Sequence, residues 1–194
     1  FVVDTLFNLQ SRGALWSEAQ ATLFDAVRRQ VKTEAQAIGH RTAIFTARAF
    51  EAEASARFED ASALAEKALS TTPDFVPAAL VRADMLGRDG KNRQAIRLLE
   101  GLWHRNPHPD LVVAYLKLWP LETGLDRLKR IQTLTAENPT AVESRLALAF
   151  AALQANLWGE ARRNLTAIGS DEISARVCRL MARLEQDEHG DTSG

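Results

Sequence analysis

The sequence predicts an all-α solenoid: about four stacked helical hairpins and a C-terminal helix, wound as a right-handed superhelix. Three observations carry this reading. First, a small residue inside one helix is followed twelve positions later by an alanine, as Ala49/Ala61, Ala83/Ala95 and Ala149/Ala161. The first two pairs are offset by 34 residues and the third lies 66 further on, which fits one such unit plus a unit shortened by two. A fixed period of this length marks repeats in which no hairpin can bury its apolar face alone. Second, Leu64, Leu69, Val76, Leu80, Val81, Met85, Leu86, Ile96, Leu98, Leu99 and Leu102 recur at helical spacing. Third, alanine is abundant and β-branched residues are sparse, which favours helix throughout and leaves no strand signal.

Eleven helices follow, near 1–12, 16–30, 36–55, 58–71, 76–89, 92–105, 110–119, 124–137, 141–155, 158–168 and 172–187. The first hairpin (about 1–31) begins at Phe1, already inside an amphipathic helix. Phe7 takes the position where a small residue is expected, so this pair should pack more loosely. Trp16-Ser-Glu-Ala19 opens its second helix. Residues 31–42 add one or two turns before the second repeat (42–75), whose second helix opens at Phe58-Glu-Asp-Ala61 and ends at Pro73. The third (76–109) repeats the pattern with Asn92-Arg-Gln-Ala95 and Pro107.

The fourth unit (110–139) is divergent. Tyr115 and Arg127 stand where small residues belong, Pro120 cuts its first helix short and Pro139 closes the second, so a kink or altered pitch is expected here. The fifth (142–169) returns to rule with Trp158-Gly-Glu-Ala161. Three of the four opening motifs start with an aromatic that can plug the gap where two helices diverge. Their alanines permit close backbone approach, and acidic residues in the first turn complement the helix dipole. The last helix, 172–187, has no partner and acts as a cap or marks a truncation.

Composition fits one domain, 1–194, with a substantial core: 46% of the 194 residues are apolar. A net charge of −1 argues against a nucleic-acid partner. The single cysteine, Cys178, excludes a disulfide framework and suits a reducing compartment. No stretch reaches the roughly 18 apolar residues that cross a bilayer, no leader peptide is visible, and the chain starts at Phe1 without a methionine. It is therefore expected to be a piece of a longer protein.

The pattern resembles the tetratricopeptide repeat (TPR). Within that group the chain is similar to the HemY-type TPR proteins of proteobacterial haem biosynthesis. The stretches that carry the likeness are Thr72-Pro-Asp-Phe-Val-Pro-Ala-Ala79, Asn106-Pro-His-Pro-Asp-Leu111, Asp126-Arg-Leu-Lys-Arg130, Glu143-Ser-Arg-Leu-Ala-Leu-Ala149, Ala175-Arg-Val-Cys-Arg-Leu-Met-Ala182 and Glu188-His-Gly-Asp191. Residues 1–60 match only at the level of the repeat. The resemblance implies a soluble repeat domain attached to the bacterial inner membrane through N-terminal helices that this chain lacks. It also implies haem-biosynthesis enzymes as partners.

Candidate chemistry is thin. Gly87-Arg-Asp-Gly-Lys91 lacks the spacing and the hydroxyl residue of a phosphate loop and follows a helix, so it reads as a hairpin turn. His104 and His108 have a metal-like interval, but Pro107 between them ends the helix. His40 and His189 lack a ligand constellation. Cys178, among Val177, Leu180 and Met181, reads as a small buried hydrophobe without a paired base. The basic clusters Asp126–Arg130 and Arg162-Arg163 read as solvated faces, with anionic lipid headgroups as the functional alternative. Asn164-Leu-Thr166 matches a glycosylation triplet without a secretory context. Trp16, Trp103 and Trp158 are assigned to packing. No catalytic, cofactor or metal residue emerges, and the chain reads as a non-enzyme.

In such a stack the first helix of each pair lines a concave groove. The register places Asp4, Asn8 and Arg12 there, then Thr46, Phe50 and Glu53, then Leu80, Asp84 and Arg88. Val112, Leu116 and Trp119 follow, and finally Leu146, Phe150 and Leu153. The early part is polar and the late part apolar, a surface that receives a protein or peptide partner unless the last helix folds across it. Two rival readings are a haem- or porphyrin-handling groove and a homo-oligomerisation element.

Overall fold

A computed structural model describes residues 2–191, except for the side chains of His189 and Asp191. Phe1 lies outside the described residues, and with it the expectation that the first helix already contains it. The helices are α1 (Val2–Arg12), α2 (Trp16–Arg28), α3 (Glu34–Ala54), α4 (Phe58–Thr71), α5 (Val76–Arg88), α6 (Asn92–Arg105), α7 (Pro109–Lys117), α8 (Gly124–Thr135), α9 (Val142–Gln154), α10 (Trp158–Thr166) and α11 (Ala175–Asp191). A single 3-10 turn, Ser170–Glu172, precedes α11, and no strand occurs among the described residues. The chain forms two compact units, Phe1–Leu98 and Leu99–Gly194. Each is an array of antiparallel helical hairpins, so the fold is all-α and of the α-solenoid, TPR-like class.

The alanines sit where the period requires. Ala19, Ala61, Ala95 and Ala161 are completely buried, as are Ala49 and Ala149. In the first unit Ala49, Ala52, Ala61 and Ala65 pack with Val81 and Met85 into one core. Phe7, Ala19, Leu23, Ala37 and Ile44 form a second core with Trp16 and Val27 against it. Phe7 does not leave its pair loose. It is buried, and its ring meets His40 edge-on at 4.6 Å between centroids. The extra residues before the second repeat lengthen α3 to 21 residues. Its start is fixed by Thr33, whose side chain accepts from the Gln36 amide at 3.2 Å while Gln36 Oε1 accepts from the Thr33 amide at 2.9 Å.

A backbone device unites the hairpins. Two residues before the second helix of each regular hairpin stands a residue in the left-handed region: Ala14 (φ 54°), Ala56 (φ 55°), Gly90 (φ 71°) and Asn156 (φ 57°). The amide after it donates to a carbonyl five residues back, as Leu15 to Gln10, Arg57 to Ala52 and Lys91 to Leu86 at 2.8 Å, and Leu157 to Ala152 at 2.9 Å. This closes the preceding helix as a Schellman turn. The next amide contact starts the following helix: Ala19 to Leu15, Ala61 to Arg57, Ala95 to Lys91 and Ala161 to Leu157. Gly87–Lys91 is thus a hairpin turn, as its sequence suggests.

In the second unit the divergent pair departs from this plan. Helix α7 stops at Lys117, before Pro120, and α8 opens through a capping box between Thr123 and Asp126 in place of a Schellman turn. Helix α8 touches α7 only sparsely and packs mainly on α9. A Cβ on Gly124 would lie 2.7 Å from the Gln154 carbonyl oxygen, so the start of α8 sits directly on the end of α9. Tyr115 is buried in spite of its size, and its hydroxyl donates to Glu100 at 2.9 Å. Burial first, and the hydrogen bond to the carboxylate second, push the phenol far above its ordinary range. Trp103 is fully buried, in keeping with a packing role.

Candidate functional site

Helices α7, α9 and α11 of the second unit enclose an apolar cavity of about 320 Å³. Val112, Val113 and Leu116 come from α7, Leu146, Ala147 and Phe150 from α9, and Leu180 from α11. The helical repeat places Val112/Leu116 and Leu146/Phe150 on single faces four residues apart. Its rim is charged. Arg176 donates from both terminal nitrogens to the two oxygens of Glu143, at 2.7 and 3.0 Å, a fork-on-fork pair that ties α11 to α9. Arg179 also lines the mouth and is exposed.

The final helix therefore folds back beside the groove helices without filling the space between them. Val177 and Leu184 supply its buried contacts. Arg162 of α10 holds its far end by pairing with Glu185 at 2.7 Å and with Glu188. Glu185 and then Glu188 raise the Arg162 guanidinium pKa above its ordinary value.

The residues expected to line a groove fall into separate groups. In the first unit Asn8 and Arg12 are exposed on α1, Phe50 is 46% exposed on α3 with Glu53 partly buried, and Leu80 is partly buried on α5. Thr46 is buried, with its hydroxyl donating to the Thr42 carbonyl at 2.8 Å. Asp84 and Arg88 pair with each other at 2.8 Å, and the Arg88 guanidinium lies 4.6 Å from the Phe58 ring centre. Asp4 pairs with Lys32 at 2.6 Å. In the second unit Val112, Leu116, Leu146 and Phe150 converge on the apolar cavity.

Trp119 stands apart. Tyr115 meets it at 4.9 Å, and Arg130 stacks on it at 4.2 Å while pairing with Glu122 at 2.8 Å. Leu153 is closed from solvent and contributes to a second, polar cavity of about 880 Å³. Glu143, Arg176 and Leu180 escaped sequence reasoning, although the amphipathic spacing of Val177, Leu180 and Leu184 offered a signal for α11.

Cys178 is exposed, which corrects the expectation of a buried thiol: α11 turns Val177 and Leu184 inward and leaves Cys178 on the outer side. His108 caps α7, its Nδ1 accepting from the Asp110 amide at 3.3 Å. His104 is exposed in the last turn of α6. His189 carries a side chain outside the described set. Among the described residues no group of three or more His, Cys, Asp or Glu side chains is placed to hold a metal ion. None of their helices is long and apolar enough to cross a membrane.

In the basic clusters Arg130 pairs with Glu122, Arg162 with α11 and Arg163 with Glu160 at 2.8 Å, while Arg127 and Lys129 make no ion pair among the described residues. The Asn164 amide donates to the Glu160 carbonyl at 3.0 Å.

No protein-family model matches the chain. It is 32% identical over 186 residues to a protein of Magnetospirillum gryphiswaldense called "Probable magnetosome protein Mms48". The match takes in 95% of this chain but only 41% of the relative, so the chain spans about two fifths of that protein's length. Among solved structures, a tetratricopeptide repeat protein from Parabacteroides merdae aligns over 96% of this chain and 72% of its own, with 16% identity and a TM-score of 0.47. A MamA RS-1 double mutant aligns over 100% of this chain and 96% of its own, with 11% identity and a TM-score of 0.45.

Proposed function

We propose that the chain is a non-enzymatic protein-interaction scaffold whose second unit receives an apolar segment of a partner protein between α7, α9 and α11. The observation that carries this is the apolar cavity itself, lined by Val112, Val113, Leu116, Leu146, Phe150 and Leu180 and rimmed by Arg176 and Arg179. A concave apolar site with a few oriented charges at its edge is the common form of a binding pocket, and helix grooves take amphipathic segments through such anchors. The similarity to a probable magnetosome protein supports a place at a bacterial magnetosome, with a protein of that assembly, or a second copy of this chain, as partner.

Crosslinking capture tests the surface. Phe150→Asp and Val113→Asp replace partly exposed residues and should keep the helical circular dichroism. Each should lose the captured partner, while Phe50→Asp in the first unit should keep it. Identical capture by all three sinks the proposal.

A second reading keeps the same surface in a HemY-type protein at the inner membrane, serving haem-biosynthesis enzymes or handling haem itself. It is supported by the motifs between residues 72 and 191 alone. A Soret shift on adding hemin, abolished by replacing one histidine or Cys178, would favour it over the magnetosome placement.

A further inference from the structure

We infer that Arg127 is the anchor of a second binding site, one that takes the carboxylate of an acidic side chain from a partner polypeptide. The inference rests on the scaffold reading for its partner and on a different cavity for its geometry. The amide of Arg127 donates to the Thr123 carbonyl at 3.0 Å, the contact made by Ala19, Ala61, Ala95 and Ala161 at the start of their helices. A guanidinium thus occupies the position at which the regular hairpins bury a methyl group. The local cost is visible, since α8 barely touches α7. Departures from a repeat's own packing rule of this kind concentrate at functional sites.

What the departure produces is a polar cavity of about 880 Å³ between the start of α8, the end of α9 and α11. Four charged groups line it. Arg183 pairs with Asp187 at 3.2 Å and Glu122 pairs with Arg130 at 2.8 Å. Among the described residues Arg127 makes no hydrogen bond or ion pair from its side chain, and its Nε is buried without an acceptor. The four lining charges sum to zero, but Glu122 is paired with Arg130 outside the cavity. Arg127 is therefore the one lining cation without a carboxylate, beside a Glu122 Oε2 that is likewise buried without a partner and among Gln154, Asn156, Gln186 and Trp158.

A buried guanidinium donor without an acceptor is costly, and a carboxylate satisfies it in fork geometry. The single unpaired guanidinium matches a monoanion. A phosphate dianion would meet Glu122 and Asp187 with no cation left to offset its second charge. The flanking amides suit the peptide groups on either side of an acidic residue.

The test uses N-acetyl-glutamate N-methylamide as probe and the Arg127 Nε–H resonance of the nitrogen-labelled chain as reporter, assigned by its loss in Arg127→Ala. The glutamate probe should shift that resonance saturably at millimolar concentration, and the glutamine analogue should bind at least tenfold more weakly. Arg127→Ala restores the residue of the regular hairpins, so it should keep or raise the thermal midpoint while abolishing the response. A marked fall in midpoint makes Arg127 a structural residue and overturns the assignment. So does an equal response to the two amides, no response to either, or a stronger response to inorganic phosphate or glutarate. Loss of the apolar groove by Val113→Asp, a residue of α7 that does not line the polar cavity, leaves this titration unchanged, which separates the two sites.

Discussion

At the residue scale, the least expected feature is two alanines held in a backbone conformation that favours glycine. Ala14 and Ala56 take the same left-handed place as Gly90 and Asn156, and the Schellman bonds around all four are alike. The left-handed region costs an L-residue about 1–2 kcal/mol, offset in part by the greater unfolded-state freedom of glycine. Ala56→Gly should therefore raise the urea midpoint, by about 0.5–1 kcal/mol in stability. Gly90→Ala should lower it, for conformational reasons alone, because a Cβ on Gly90 meets nothing within 4 Å. Opposite signs at equivalent positions are the check, and equal signs would mean that the turns are not equivalent. The predicted helix ends already left all four positions in turns; what the sequence hid was the left-handed conformation of Ala14 and Ala56, which glycine announces at position 90 and alanine does not. Cys178 shows the same difficulty from the other side: with apolar neighbours at 177, 180 and 181, only a fixed helix rotation tells which of them face inward.

At the scale of the element, the helices were legible to within a few residues, the last being shifted from 172–187 to Ala175–Asp191, because the period, the opening motifs and the prolines agree on one register. What escaped was how the divergent pair packs. Tyr115, Arg127 and Pro120 announced a departure, yet spacing cannot show that α8 gives up α7 and seats itself on α9. Gly124 is the hinge of that arrangement. An added methyl would meet the Gln154 carbonyl oxygen at 2.7 Å and the Ala155 Cα at 3.1 Å, both backbone atoms that cannot swing aside. Gly124→Ala gains helix propensity but must push α8 off α9, so it should destabilise the second unit by about 1–3 kcal/mol, the range of overpacked cores. Gly159→Ala is the control, since a Cβ there meets nothing within 4 Å and only the propensity gain remains. A neutral Gly124→Ala would mean that the α8–α9 contact is looser than described.

At the scale of the whole molecule, the two compact units each carry part of what the repeat register assigned to a single groove. The register put Leu116, Leu146 and Phe150 on one lining, and all three border the α7–α9–α11 cavity, because first-helix residues four apart share a face. It could not find Arg176, Arg179 and Leu180, which reach the cavity only through the return of α11, a contact distant in sequence. Stability should be just as uneven. In repeat arrays each element is held mainly by its neighbours, so local opening follows local packing. Helix α7 has nine residues, sparse contacts with α8 and α9, and buried anchors at Leu111 and Tyr115. Helix α9, by contrast, buries Ser144, Leu146, Ala147, Ala149, Ala151, Ala152 and Leu153 and is packed by α8, α10 and α11. Native-state hydrogen exchange should therefore show the amides of 112–119 opening well before those of 146–154, by roughly tenfold or more for each ~1.4 kcal/mol of difference in opening free energy. A partner that fills the α7–α9–α11 cavity must order α7 to bind, so protection should rise there first and most on complex formation. Equal protection of the two helices in the free chain would place α7 in the same cooperative block as α9 and remove the reason to treat it as the movable wall of the site.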